Sequence, residues 1–170
     1  HLHRITALSD VYSIPAVAAH AAPTVSAWIK QHVVNPVLVG PDSESEQWVS
    51  DTANGAGAPY LILEKTRRGD RDVAVSVPQV EQWRAHTPVL VDDIISTART
   101  MIETVGHLKK ASMSAPVCIG VHAVFAGTAY HDLLAAGAGR IVTTNTIPHE
   151  SNVLDVSSLL AECVRFQLRA

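Results

Sequence analysis

Five short runs rich in branched side chains recur along the chain: Pro36–Gly40 (PVLVG), Pro59–Glu64 (PYLILE), Pro88–Asp92 (PVLVD), Pro116–His122 (PVCIGVH) and Arg140–Thr144 (RIVTT). Four of them are near-continuously apolar, as strands are when both faces of a sheet are covered. Strands of this kind alternating with helices are the pattern of βαβ units, which build a parallel sheet. Helical spacing fills the gaps at Ala22–Val33, where Val25, Trp28, Ile29 and His32 form one stripe, and at Glu44–Gly55, Gly127–Ala136 and Ser157–Leu168. Thr100-x-x-Glu103 reads as a capping box opening a further helix that carries Met101, Val105 and Leu108. Asp72–Val77 (DVAVSV) alternates strictly and reads as a half-exposed strand in a hairpin or flap. The expected fold class is α/β, a parallel sheet flanked by helices with a small flap or hairpin, over all 170 residues.

Composition narrows the partners. At 47% hydrophobic and 17% charged the chain is too apolar for disorder. Its longest apolar runs fall far short of the ~20 residues that span a bilayer. A net charge of −3 gives no electrostatic reason for nucleic acid or an anionic membrane as a partner. Cys118 and Cys163 sit in apolar segments and are expected as buried free thiols of a cytoplasmic protein. The opening His1-Leu2-His3-Arg4 lacks an initiator Met and a secretory signal, so a fragment is expected.

In open parallel sheets ligands sit at the carboxyl ends of the strands. The residues there are unusual: Asp42 after the first run, Lys65-Thr66-Arg67-Arg68 after the second, Asp93 through Thr100 after the third, His122 after PVCIGV and Asn145-Thr146 after RIVTT. Two adjacent carboxylates at the end of an apolar strand repel each other and are partly desolvated, so they persist most easily when they hold a diol, a metal or a cation. The Ser96-Thr97-Ala98-Arg99-Thr100 run that follows brings hydroxyls and backbone N–H groups to a helix N-terminus, a cradle for a phosphate monoester. An acid pair alone is more often a solvated strand end. The full run is not.

This run resembles the phosphoribosyl pyrophosphate loop of type I phosphoribosyltransferase folds, with Ala98-Arg99 where the family has at least one Gly. The resemblance extends along the chain through Val39-Gly40-Pro41-Asp42, Glu64-Lys65-Thr66-Arg67, Thr144-Asn145-Thr146-Ile147-Pro148 and the Leu154–Glu162 stretch, in this order. Together these look like the second half of the ribose-phosphate pyrophosphokinase (phosphoribosyl pyrophosphate synthetase) family, with residues 1–20 as the join to a preceding half. It implies transfer of pyrophosphate from ATP to C1 of ribose 5-phosphate, with AMP leaving. Asp92, Asp93, Ser96, Thr97, Ala98, Arg99 and Thr100 would hold the sugar phosphate, and Lys65 and Arg67 of a mobile loop would stabilise the migrating group. A magnesium ion would be held near Asp42 and His1, and a homo-oligomer is expected.

Each residue also has a plainer reading. Four cations in the seven residues Lys65–Arg71 are usually a solvated loop, and Arg68 and Arg71 are read that way. Asp42 can simply cap the helix that follows, and His1 can belong to a flexible terminus. The other histidines show no metal-ligand spacing, and His122-Ala123-Val124-Phe125-Ala126-Gly127, although similar to a turn of the family, is given no catalytic role. Two other functions stay open: a phosphoribosyltransferase acting on a nucleobase, and a non-catalytic regulatory relative of the synthetases.

Overall fold

The computed structural model describes residues 7–41, 43–68 and 72–169. After a short 3-10 turn at Leu8–Asp10 the chain runs α1 (Ala22–His32), β1 (Pro36–Gly40), a 3-10 turn at Ser43–Ser45, α2 (Glu46–Ala56) and β2 (Tyr60–Ile62). It continues through β3 (Glu64–Arg68), β4 (Asp72–Ser76), α3 (Val80–Trp83), β5 (Thr87–Ile95), α4 (Arg99–Lys110) and β6 (Val117–Ala123). It ends with α5 (Ala129–Ala136), β7 (Arg140–Thr144), β8 (Asn152–Leu154) and α6 (Ser157–Gln167). Six strands form one parallel sheet in the order β2-β1-β5-β6-β7-β8, and β3 and β4 pair separately as an antiparallel ribbon.

Alternation along each strand divides the apolar residues between two cores. Val37, Leu90, Cys118 and Ile141 pack with Met101, Val105 and Leu108 of α4 and Leu133 of α5. Leu38, Val89, Val91, Ile119 and Val142 pack on the other face with Val25, Trp28 and Ile29 of α1 and Val49 and Ala53 of α2. Every central strand is apolar on both sides because helices cover both sides.

The α/β expectation holds, and several local expectations are corrected. PYLILE is not one strand: β2 stops at Ile62, and Leu63 donates its N–H to the carbonyl of Gly40 at 2.9 Å. The chain then leaves the sheet, and Lys65 and Arg67 lie on a strand rather than in a loop, paired with Val75 and Val73. β5 runs on to Ile95, so the acid pair lies inside the strand, held by a ladder to Gly120, His122 and Ala123 of β6. Thr100 and Glu103 do not form a capping box. Helix α4 opens at Arg99, after Ala98 in the left-handed conformation (φ 55°) with no side-chain cap. Edge strand β8 and the single turn α3 are too short to leave a periodic signal, and Cys163 is half-buried rather than buried.

Gly120 fits beside the acid pair because nothing larger does. A Cβ there would meet Cδ1 and Cγ1 of the fully buried Ile95 at 2.5 and 2.6 Å. Gly120→Ala is therefore expected to destabilise the fold by about 1–3 kcal/mol through overpacking. Combined with Ile95→Ala, the double variant should lose less stability than the two single losses summed, as measured by denaturant unfolding.

Candidate functional site

The chain winds outward in opposite directions from the junction of β1 and β5: β1 is followed by β2 on one side, and β5 by β6, β7 and β8 on the other. Ligand crevices form at such reversals. Here the crevice is enlarged because β1 and β5 pair only as far as Leu38↔Val89. Beyond that point β1 ends at Gly40 while β5 continues to Ile95. The strands part over a cleft of about 810 Å³, walled by Pro41, Trp48 and Asp51 on one side and by Asp92, Asp93 and Thr100 on the other.

Both acids are half-buried and bend back onto the backbone. The Asp93 N–H donates to Asp92 Oδ1 at 2.9 Å, and the Ile94 N–H donates to Asp93 Oδ1 at 2.8 Å. Burial, followed by the hydrogen bond and charge of Asp93, pushes the Asp92 carboxyl up to about 6. Ser96 is pinned from the next loop, its carbonyl accepting the Ala126 N–H at 3.1 Å. Thr97 follows, and Ala98 turns the chain into α4. Neither a capping side chain nor an acidic residue occupies the first turn of α4, where Arg99 and Thr100 stand exposed. A helix N-terminus left open in this way offers its leading N–H groups to an anion. Ala98 is 8% exposed, and its left-handed conformation costs about 1–2 kcal/mol in a residue with a Cβ. The turn is built on an alanine where glycine would be unstrained.

The structure brings Asp92, Asp93 and the Ser96–Thr100 turn together on one strand and its outgoing helix. It places the backbone of Lys65 and Arg67 on the ribbon whose base, at Leu63, is bonded to Gly40 on the rim of the cleft. The side chains of Lys65 and Arg67, and all of Asp42 and His1, lie outside the described residues. Among the described residues lining the cleft there is no lysine or arginine, and none of them forms a cluster of three His, Cys, Asp or Glu able to hold a metal ion.

The sequence marked His122 and Asn145-Thr146 as strand-end residues without giving them a role. Asn145 is a structural clamp: its amide donates to Asp155 Oδ1 at 2.8 Å, and its Oδ1 accepts the Val156 N–H at 3.0 Å. The hydroxyl and N–H of Ser157, followed by the Asn145 amide, hold the exposed Asp155 carboxyl below its usual range. Flanking it, Thr144 and Thr146 bond one another and His122, whose Nδ1 lies 2.8 Å from Thr146 Oγ1.

The chain matches the family model of the phosphoribosyl transferase domain over residues 8–158. It is 33% identical over 157 residues to a ribose-phosphate pyrophosphokinase of Methanosarcina acetivorans, which covers 92% of this chain and 55% of that protein. A ribose-phosphate pyrophosphokinase of Sulfurisphaera tokodaii is 32% identical over 149 residues, covering 84% and 50%. The chain thus spans about half the length of the curated relatives it matches. Its fold is similar to that of phosphoribosylpyrophosphate synthetase from Mycobacterium smegmatis, with a TM-score of 0.74, 24% identity and coverage of 88% of this chain and 51% of that one. It is also similar to the adenine phosphoribosyltransferase of Giardia lamblia, with a TM-score of 0.53, 18% identity and coverage of 81% and 83%.

The raised Asp92 carboxyl has a measurable consequence. The folded state resists ionisation up to about pH 6, whereas the unfolded chain ionises near its ordinary value of 3.8. Stability is therefore lost as pH rises between those values and stays lost above them. Asp92→Asn should raise Tm at about pH 7.5, and the gain should shrink as pH falls and vanish near pH 4. A gain independent of pH would mean that packing, not charge, is the cause.

Proposed function

The chain belongs to the phosphoribosyl transferase domain family, and from that premise we propose that it is the phosphoribosyltransferase-type half of a ribose-phosphate pyrophosphokinase. The carrying observation is the acid pair of β5 standing in the cleft immediately before an uncapped helix N-terminus. Carboxylates accept from neighbouring hydroxyls, and helix N–H groups donate to a phosphate, so the two together fit a sugar phosphate end to end.

In this reading Asp92 and Asp93 hold the ribose hydroxyls. The backbone from Ser96 to Thr100, with the hydroxyls of Ser96, Thr97 and Thr100 and the guanidinium of Arg99, holds the 5-phosphate. The C1 hydroxyl attacks the β-phosphorus of ATP, the bond from that phosphorus to the bridging oxygen breaks, and AMP leaves. Lys65 and Arg67, on the ribbon strand, would place positive charge on the migrating group. A cleft lined by Asp51, Asp92 and Asp93 needs a counter-charge before it can take a polyphosphate. Hard oxygen donors of this kind fit magnesium, with Asp42 and His1 as the residues that would hold it. Bound there, it would neutralise phosphate charge.

Two measurements test the reading. Calorimetry should show this chain binding ribose 5-phosphate, with Asp93→Asn at least tenfold weaker and its Tm close to the parent's. In the full-length protein, Lys65→Ala and Arg67→Ala should each lower kcat by about 10²–10³ with little change in KM for ribose 5-phosphate. Arg68→Ala should be nearly silent. Equal losses at all three positions would reduce the ribbon to a diffuse positive patch, and turnover by the 170-residue chain alone would refute the need for a second half.

A further inference from the structure

The wall of the cleft that faces the acid pair carries an aromatic ring. Among the described residues that line the cleft, Trp48 is the single aromatic group, and Gln47 and Asp51 flank it on α2. Its approach is set by the backbone. A Cβ at Gly40 would meet Ser45 Oγ at 2.6 Å and Val49 Cγ2 at 3.4 Å, so the first turn of α2 lies directly on the end of β1, at the rim of the cleft. Helix α2 is fixed there from behind, with Val49 and Ala53 fully buried. The Thr52 hydroxyl donates to the Trp48 carbonyl at 2.9 Å, and the Ser26 hydroxyl of α1 donates to the Thr52 carbonyl at 2.8 Å.

The indole does not sit there for the sake of its hydrogen bond. Its Nε1 is buried with no partner, which costs desolvation and returns nothing. What the ring supplies is apolar area. It is half-buried, packed on the core beneath α1 and α2 on one side and bordering the cleft on the other. Val91 belongs to that core and also lines the cleft, and alternation along β5 puts Asp93 on the same face, with its Cα about 7 Å further along the strand. The cleft therefore offers carboxylates and an apolar wall together. A pentose has both matching surfaces, hydroxyls around its edge and C–H groups on its faces, whereas a bare phosphate has only the polar one.

We propose that Trp48 is a sugar-contacting residue, its indole packing against the C–H surface of the pentose whose hydroxyls Asp92 and Asp93 hold. It makes the cleft select a sugar phosphate over phosphate alone. The proposal rests on the ribose 5-phosphate reading above.

The test uses this chain at about pH 8, where Asp92 is ionised, with ribose 5-phosphate and inorganic phosphate as probes. The chain has three tryptophans, and neither Trp28, stacked on His32, nor Trp83, edge-on to His86, lines the cleft. With 5-fluorotryptophan incorporated, ribose 5-phosphate should move the fluorine resonance that Trp48→Phe removes, and inorganic phosphate should leave it in place. Trp48→Ala should bind ribose 5-phosphate about tenfold more weakly, while Trp48→Phe, which keeps an aromatic ring, stays within about threefold of the parent. A Trp48 resonance unmoved at saturating ribose 5-phosphate, or moved equally by phosphate alone, overturns the proposal even where Trp48→Ala fails to fold. Parental affinity in Trp48→Ala with lost affinity in Asp93→Asn overturns it while the sugar-phosphate reading stands. No binding of ribose 5-phosphate by the parent chain overturns both.

Discussion

The parting of β1 from β5 organises this molecule. Three residue pairs hold the two strands side by side, and then β5 continues alone on that flank while keeping its ladder to β6 on the other. Backbone groups of β5 are thus satisfied from one side and open to the cleft on the other. The acid pair and the turn are placed from that strand: its acids enter the gap, and its outgoing turn starts α4.

The arrangement is costly to an empty protein. Asp92 is held half-buried with a second carboxylate as its chain neighbour, and Ala98 is held in a conformation that disfavours a Cβ. Asp92 belongs to neither apolar core, while Ala98 packs into the one beneath α4. Strain and desolvation concentrated at one strand end mark it as the candidate site of this fold.

Most of the fold was legible in the sequence because apolar runs covered on both faces have few alternatives. Pro36–Gly40 and Arg140–Thr144 are strands with the boundaries expected, and the alternating DVAVSV stretch does form half of a small ribbon. The rest failed for identifiable reasons. Asp92-Asp93 read as a strand's end because carboxylates seldom sit inside one, whereas pairing to β6 carries the strand past them. Thr100-x-x-Glu103 has the residues of a cap, but the backbone turn that begins the helix is made by Ala98, whose positive φ has no signature in an alanine. Lys65 to Arg68 read as a loop because charge is a side-chain signal, and the ladder to β4 is a backbone one. The acid pair and the turn were singled out as candidates from their chemistry, while the contact between His122 and Thr146 joins positions 24 apart and leaves no local signal.

The clamp at Asn145 has a consequence for how the domain comes apart. Helix α6 contributes no buried side chain, and Leu160, Val164, Phe166 and Leu168 along it are largely exposed. It is attached at its beginning, where Asn145 and Asp155 take up the N–H groups of Val156 and Ser157. A helix fastened at one end unravels from the other without disturbing the sheet. Its amides should therefore exchange with solvent in a gradient, slowest at the clamp and fastest at Gln167, long before β5 or β6 opens. Truncation from the C-terminus would shorten that gradient and leave the cleft intact.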